Sequence, residues 1–340
     1  MWNFGSTRLP FFTVLCSLLL AGVACSGSRV ASANLHKTLE ANWRAPGEDG
    51  EPMLIAAYQP WFGRPNHLNV GYSSQDRVVL QRQVAEAQRL GIRAFIVNWY
   101  GRKDQFEDRS YSLLQEVAGQ TGFKTAIMYD EDDRNPAGST EAALGHLQYA
   151  YDHYIAPGTP GSENYLRYNG RPLIFIFPKS STTDWTRVRR MTNSWQEQPL
   201  LIYEDINRKY ANDFDGFFAW VHPGKQGWTR DGSNWGEGYL ENFYKAMNNE
   251  FPNKIPVGAA WPGFNDSKAS WSRNRHMDAR CGKTFEDSLR MFRRFYNQDR
   301  PLPFLMIVTW NDYEEGTAIE KGYAKCGKSP GASYDTQGER

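Results

Sequence analysis

The sequence predicts an α/β fold, a single (β/α)8 barrel. Short apolar runs alternate with amphipathic stretches from Met53 onward, the pattern of parallel strands joined by right-handed helical crossovers. The apolar runs number eight, the count that closes such a barrel. The stretch from Met53 to Glu320 is also close to the ~250 residues typical of that fold. A doubly wound sheet with an extra domain is the runner-up. No internal repeat, low-complexity tract or second-domain linker interrupts the pattern.

The strands are expected, in order, over 53–58, 92–98, 124–129, 173–177, 200–203, 216–220, 255–260 and 304–310. Between the first two, 75–90 places Leu80, Val84 and Ala87 on one helical face. Tyr239, Phe243 and Met247 recur every four residues ahead of the seventh strand. Thr284, with Asp287 three residues on, reads as a capping box before Phe285, Leu289, Phe292 and Phe295. The fifth helix is poorly marked and the eighth would be short.

Ahead of the barrel, Arg8 precedes an apolar run over 9–25, shorter than the ~20 residues of a membrane span. Its basic start, Leu-rich middle and small-residue exit have the layout of a secretory signal peptide. Cleavage after Ala33 makes 1–33 the signal; alternatively a lipoprotein signal ends before Cys25, although Gly22 suits that poorly. Residues 34–50 then form a linker, 51–326 the barrel domain, and 327–340 a polar tail expected to be disordered. The protein is expected to be exported: secreted, periplasmic or lipid-anchored at the cell surface. Membrane contact is expected only through a lipid on Cys25.

Cys16 lies inside the signal and Cys25 at its end, which leaves Cys281 and Cys326 as a disulfide candidate in an oxidising space. No CxxC or HExxH occurs, and the acidic run 130–133 lacks the glycine-spaced calcium loop, so no metal and no cofactor are expected. With 39 basic and 38 acidic side chains, the net charge of +1 excludes the clustered basic excess of a nucleic-acid binder. Nothing signals oligomerisation, so a monomer is expected. The outlier is the aromatic share of 14%, a composition suited to stacking flat ligands such as sugar rings.

Barrel enzymes work at the carboxyl ends of their strands. Those ends read Tyr58-Gln59-Pro60-Trp61, Asn98-Trp99-Tyr100, Tyr129-Asp130-Glu131, Tyr203-Glu204-Asp205, Trp220-Val221-His222, Ala260-Trp261-Pro262 and Trp310-Asn311-Asp312. Nearly every one sets an aromatic beside a polar or acidic residue. Aromatic faces pack on sugar C–H faces, while carboxylates and amides bind hydroxyls. Tyr58, Trp61, Asn98, Trp99, Tyr129, Glu131, Glu204, His222, Trp261, Trp310 and Asn311 are therefore substrate-binding candidates, with Trp61, Trp99, Tyr129 and Trp261 as the stacking platforms. For any one aromatic, a role as a barrel cap is an equal alternative. His67, His146, His153 and His276 show no partner pattern.

The densest chemistry is the run from Thr309 to Thr317, with Asp312, Glu314 and Glu315 within four residues. Glycosidic cleavage requires two carboxylates in different environments, one protonated and one ionised. A turn after the strand would aim Asp312 and Glu315 into the mouth as the catalytic pair and leave Glu314 pointing to solvent.

The run WNDYEEGTAIE resembles the carboxylate motif of glycoside hydrolase families 99 and 71. Tyr58-Gln59-Pro60-Trp61-Phe62-Gly63 is similar to family 99's first-strand YxPWxG. Gly71-Tyr72-Ser73-Ser74, and Gly91-Ile92 through Asn98-Trp99-Tyr100-Gly101, resemble its second unit. The likeness runs from about residue 53 to 320. It implies a barrel enzyme that cleaves internal α-linkages in mannose- or glucose-containing glycans without a metal. By position, Asp312 matches the first catalytic carboxylate, which in family 99 is a base on the sugar's own 2-hydroxyl. Glu315 matches the second, the proton donor, and Glu131 an acid after the third strand. Two departures stand out. Gln59 replaces an aromatic or His, and Asp312 replaces the usual Glu, a retreat of roughly 1.5 Å, where a 1 Å misplacement can cost about a hundredfold in rate. Asp at that place instead resembles family 71, associated with inversion by a more distant base, a role Glu204-Asp205 could fill. Retention and inversion both stay open. The competing class, a non-catalytic carbohydrate-binding protein on a decayed barrel, would be marked by loss of one carboxylate, and both are present. Another hydrolase would need metal ligands or a GxSxG elbow between a strand and a helix, and the one GxSxG, at 327–331, falls in the polar tail without those flanks.

Overall fold

The computed structural model describes residues 52–102, 105–131, 136–222, 234–297 and 302–322. Strands β1 (Met53–Tyr58), β2 (Ala94–Trp99), β3 (Lys124–Asp130), β4 (Arg171–Phe177), β5 (Leu200–Glu204), β6 (Gly216–Phe218), β7 (Ile255–Ala260) and β8 (Phe304–Ile307) follow in chain order. Each pairs in parallel with the next. The ring shuts where β8 pairs in parallel with β1, Met53 opposite Phe304. An open doubly wound sheet would leave two edges, so the closed barrel is the fold. β1 and β2 are buried along almost their whole length, because helices cover one face and the barrel interior the other.

Among the described residues six α-helices wrap the barrel: α1 (Arg77–Arg89), α2 (Gln105–Gly119), α3 (Ser139–Ala150), α4 (Trp185–Thr192), α5 (Glu237–Asn249) and α6 (Lys283–Phe295). The Asp76 carboxylate caps α1 by accepting the Val78 N–H at 2.9 Å, which satisfies a donor the first turn leaves unpaired. The helix then buries Leu80, Val84 and Ala87, the face read from the sequence. Between β5 and β6 the chain makes only turns, as the weak pattern there implied.

Three expectations need correction. The capping box is not formed: α6 starts before Thr284, with left-handed Gly282 (φ 89) at its N-cap. The Thr284 hydroxyl donates to Asp278 O at 2.7 Å, while Asp287 is held by Arg280 at 2.7 Å and by Arg290. β6 and β8 are also shorter than expected. The β8 ladder ends at Ile307, after which Thr309 N–H bonds across its own loop to Thr317 O at 3.0 Å. Cys281 is disulfide-bonded; Cys326, like Cys25 and the segments 1–33, 34–50 and 327–340, lies outside the described residues. Among the described residues no helix is long and apolar enough to cross a membrane.

Candidate active site

A strand turns successive side chains to opposite faces, so two neighbours at a strand end cannot both face the barrel axis. At the ends of β1, β2 and β3 the aromatic neighbour faces the helices. Trp99 is buried: its indole N–H donates to Asp108 Oδ1 of α2 at 3.0 Å, and its ring lies parallel to Tyr149 of α3 at 6.3 Å. Tyr129 packs 5.8 Å from His146 of α3. The Tyr58 hydroxyl donates to Gln83 Oε1 of α1 at 2.8 Å. Trp261 donates its N–H to Trp235 O at 2.9 Å, and Trp310 packs 5.3 Å from Phe95, both fully buried. These five are packing residues in this structure, because none offers a ring face to a ligand.

The polar neighbours face inward. Asn98 donates to Asp130 Oδ2 at 3.1 Å and to the Tyr100 hydroxyl at 3.0 Å. Asp130 Oδ1 lies 2.5 Å from Lys179 Nζ, which sits 5.4 Å over the Tyr100 ring. Burial pushes the Asp130 carboxyl up, and Lys179 pulls it back. Glu204, at the end of β5, is pushed up to about 8 by burial and then by the charges of Asp205 and Asp130, with Lys179 opposing. Lys179 was missed in the sequence. It follows Phe177-Pro178 at the end of β4, the strand end left out of the sequence reading, and the same rule applied there finds it.

Glu131 does not take the place of a sugar ligand. Its Oε2 accepts the N–H groups of Lys179 at 3.0 Å and Ser180 at 3.1 Å, and its Oε1 accepts the Thr183 hydroxyl. The carboxylate is spent on the loop that carries Lys179. His222 is exposed and stacks on Tyr239 at 4.8 Å.

The turn after β8 is closed at its neck by Thr309 and Thr317, whose hydroxyl oxygens lie 3.0 Å apart. Asn311 is fully buried and bonds the Gln59 backbone on both sides, accepting from N–H at 2.7 Å and donating to C=O at 2.9 Å. It therefore clamps β1 instead of meeting a ligand. Asp312 Oδ1 accepts the N–H groups of Glu314 at 3.1 Å and Glu315 at 2.8 Å, which aims its side chain within the turn. Its Oδ2 takes no hydrogen bond from a described residue. Glu314 does not point to solvent: it is buried, 2.9 Å from His67 Nδ1, and accepts the Leu68 N–H at 2.9 Å.

Glu315 is held from another loop. Its Oε1 accepts the Trp271 indole N–H at 3.0 Å and lies 4.0 Å from Arg275 Nη2, while its carbonyl accepts the Asn265 N–H at 2.8 Å. The Trp271 ring, 39% exposed, meets Trp61 edge-on at 5.9 Å. Trp61 in turn stacks on His67 at 4.9 Å and 11°. Trp61 is itself only 4% exposed, so the open aromatic face beside Glu315 belongs to Trp271, which sequence reading missed. Burial raises both carboxyls. Asp312 rises well above the usual carboxylate range, further lifted by the charge of Glu315; the indole N–H and Arg275 moderate Glu315. Among the described residues no cluster of His, Cys, Asp or Glu has the arrangement of a metal site.

The sequence profile of glycosyl hydrolase family 71 matches residues 68–332. Among solved structures, the GH99 endo-alpha-mannosidase of Bacteroides thetaiotaomicron in complex with BIS-TRIS-propane is similar at 21% identity and a TM-score of 0.59, over 80% of this chain and 87% of that one. The same mannosidase without that molecule gives 20% and 0.58, over 80% and 88%. A protein described as glycoside hydrolase-like gives 14% and 0.56, over 81% and 88%. These structures share the barrel fold; no curated protein sequence matches the chain.

Proposed function

The chain belongs to glycosyl hydrolase family 71, a family of glycoside hydrolases acting on glycans, and from that premise we propose that it is an exported, endo-acting enzyme cleaving internal α-glycosidic bonds of an α-glucan or α-mannan. The observation that carries the catalytic reading is the pair Asp312 and Glu315 on one turn, with a proton favoured on the pair by burial and by their mutual charge. The pair titrates as a unit, so its proton belongs to both residues. Geometry decides which end delivers it. Glu315 still meets solvent, at 17% side-chain exposure, whereas Asp312 lies deeper and its anion is steadied by two backbone N–H groups.

Glu315 gives its proton to the glycosidic oxygen as the bond from C1 breaks. Asp312 takes the proton of the attacking group, the sugar's own 2-hydroxyl in a retaining course or water in an inverting one, for which Glu204 on the same rim is the more distant base. Asn98 and Tyr100, joined at 3.0 Å, line the floor. Export rests on the signal-like run over 9–25.

The test is incubation with a panel of α-1,3-glucans, α-mannans and mixed α-glycans, reading new reducing ends beside Glu315→Gln. Release of oligosaccharides by the parent alone is expected, and the anomer first released identifies inversion. Binding without release by any polymer would instead favour the non-catalytic barrel.

A further inference from the structure

Glu315 is gripped at both ends by residues that lie outside its own turn. After β7 the chain forms a loop whose stem pairs Phe264–Asn265 with His276–Met277, antiparallel. Its centre is Asp266, fully buried, which accepts the N–H groups of Arg273 at 3.0 Å and Arg275 at 2.8 Å, the Ser272 hydroxyl at 3.1 Å and Arg275 Nε at 2.8 Å. One carboxylate thus folds the loop and aims Arg275. At the stem, Asn265 N–H holds the Glu315 carbonyl; nearer the tip, Trp271 N–H holds its Oε1.

We propose that this Asp266-centred loop is the positioning element of the proton donor: Trp271, backed by Arg275, occupies Oε1 of Glu315 so that Oε2 carries the proton toward the leaving oxygen. The inference rests on the reading of Glu315 as the donor. Trp271 and Arg275 act through Glu315, and Asp266 acts through both. A hydrogen bond and a cation on one oxygen favour the ionised form, so they tune how readily Glu315 releases its proton. The other charged groups around it are Asp312 and Glu314 on its own turn, Asp266 on the loop and Lys179 from the turn after β4. None of these reaches Oε1 by a hydrogen bond among the described residues.

Trp271→Phe removes the N–H and keeps a ring. The measurement is kcat/KM against pH on the cleaved polymer and on a 2,4-dinitrophenyl α-glycoside, whose phenolate leaves without protonation. Loss of the N–H raises the donor, so the alkaline limb on the polymer moves to higher pH. The polymer rate falls about tenfold, a part of the 10²–10⁴ that general acid catalysis supplies. The aryl glycoside is cleaved within about twofold of the parent rate, and the melting temperature holds. Arg275→Met moves the limb the same way by less, its guanidinium being 4.0 Å away. An unmoved limb, or equal losses on both substrates, overturns the proposal while Glu315→Gln remains inactive on the polymer. A Glu315→Gln enzyme that still cleaves the polymer removes the donor reading itself, and this inference with it.

Discussion

Two acidic turns leave the same mouth, one after β3 and one after β8, and they are built on opposite plans. In the first, the oxygens of both described acids have partners: Asp130 meets Lys179 and Asn98, and Glu131 meets two backbone N–H groups and the Thr183 hydroxyl. In the second, only Glu314 is so consumed, by His67 and Leu68. Asp312 has no ion pair among the described residues, and the nearest cation to Glu315 stands 4.0 Å off. The acids that resemble one another in sequence thus differ in neutralisation. A carboxylate with every lone pair spent holds a fold; one left buried with a free oxygen and a neighbouring like charge is ready to exchange a proton.

The contrast breaks if the two turns respond alike to losing a charge. Asp312→Asn should lower polymer hydrolysis at least about a thousandfold, with a melting temperature that holds or rises because a buried charge is removed. Glu131→Met should do the reverse in kind, costing about 2–3 kcal/mol in denaturant melts because its three donors lose their acceptor. Matching stability losses in both variants would erase the distinction. Glu204 sharpens it through pH. Its folded value of about 8 lies above the ordinary 4.5, so the stability its proton contributes is fully present below 4.5 and is lost as pH rises through 8. Glu204→Gln stays neutral, so its advantage over the parent should grow steadily across that window. A pH-independent difference would place Glu204 in a water-like setting. The smallest effect is expected at Trp99→Phe, about 1 kcal/mol for the lost bond to Asp108, with KM unchanged; a raised KM would return that ring to the mouth.

The barrel was legible because each strand is a local apolar run: β1 and β7 lie where the sequence put them. The motif at Asp312 and Glu315 was legible for the same reason, being contiguous. What escaped depends on partners far away in the chain. Glu314 reads as one more acid in a polar loop until the 64–68 loop folds over it. The Asp266 loop has no local signature, since four donors meet one carboxylate only after the turn is made. The misassigned aromatics have a simpler cause. Trp99 was read with Asn98 as if both neighbours faced one way, where pleating allows only one of the pair.

The Asn311 side chain gives the molecule a built-in order of assembly. It joins the last strand's turn to the Gln59 backbone across 252 positions of sequence, where no covalent connection links the barrel's final strand to its first. Contacts so distant carry a large loop-closure cost. The carboxylate pair sits in the turn that this clamp holds, so a chain whose ring is still open has no working centre. Hydrolysis is then a reporter of ring closure.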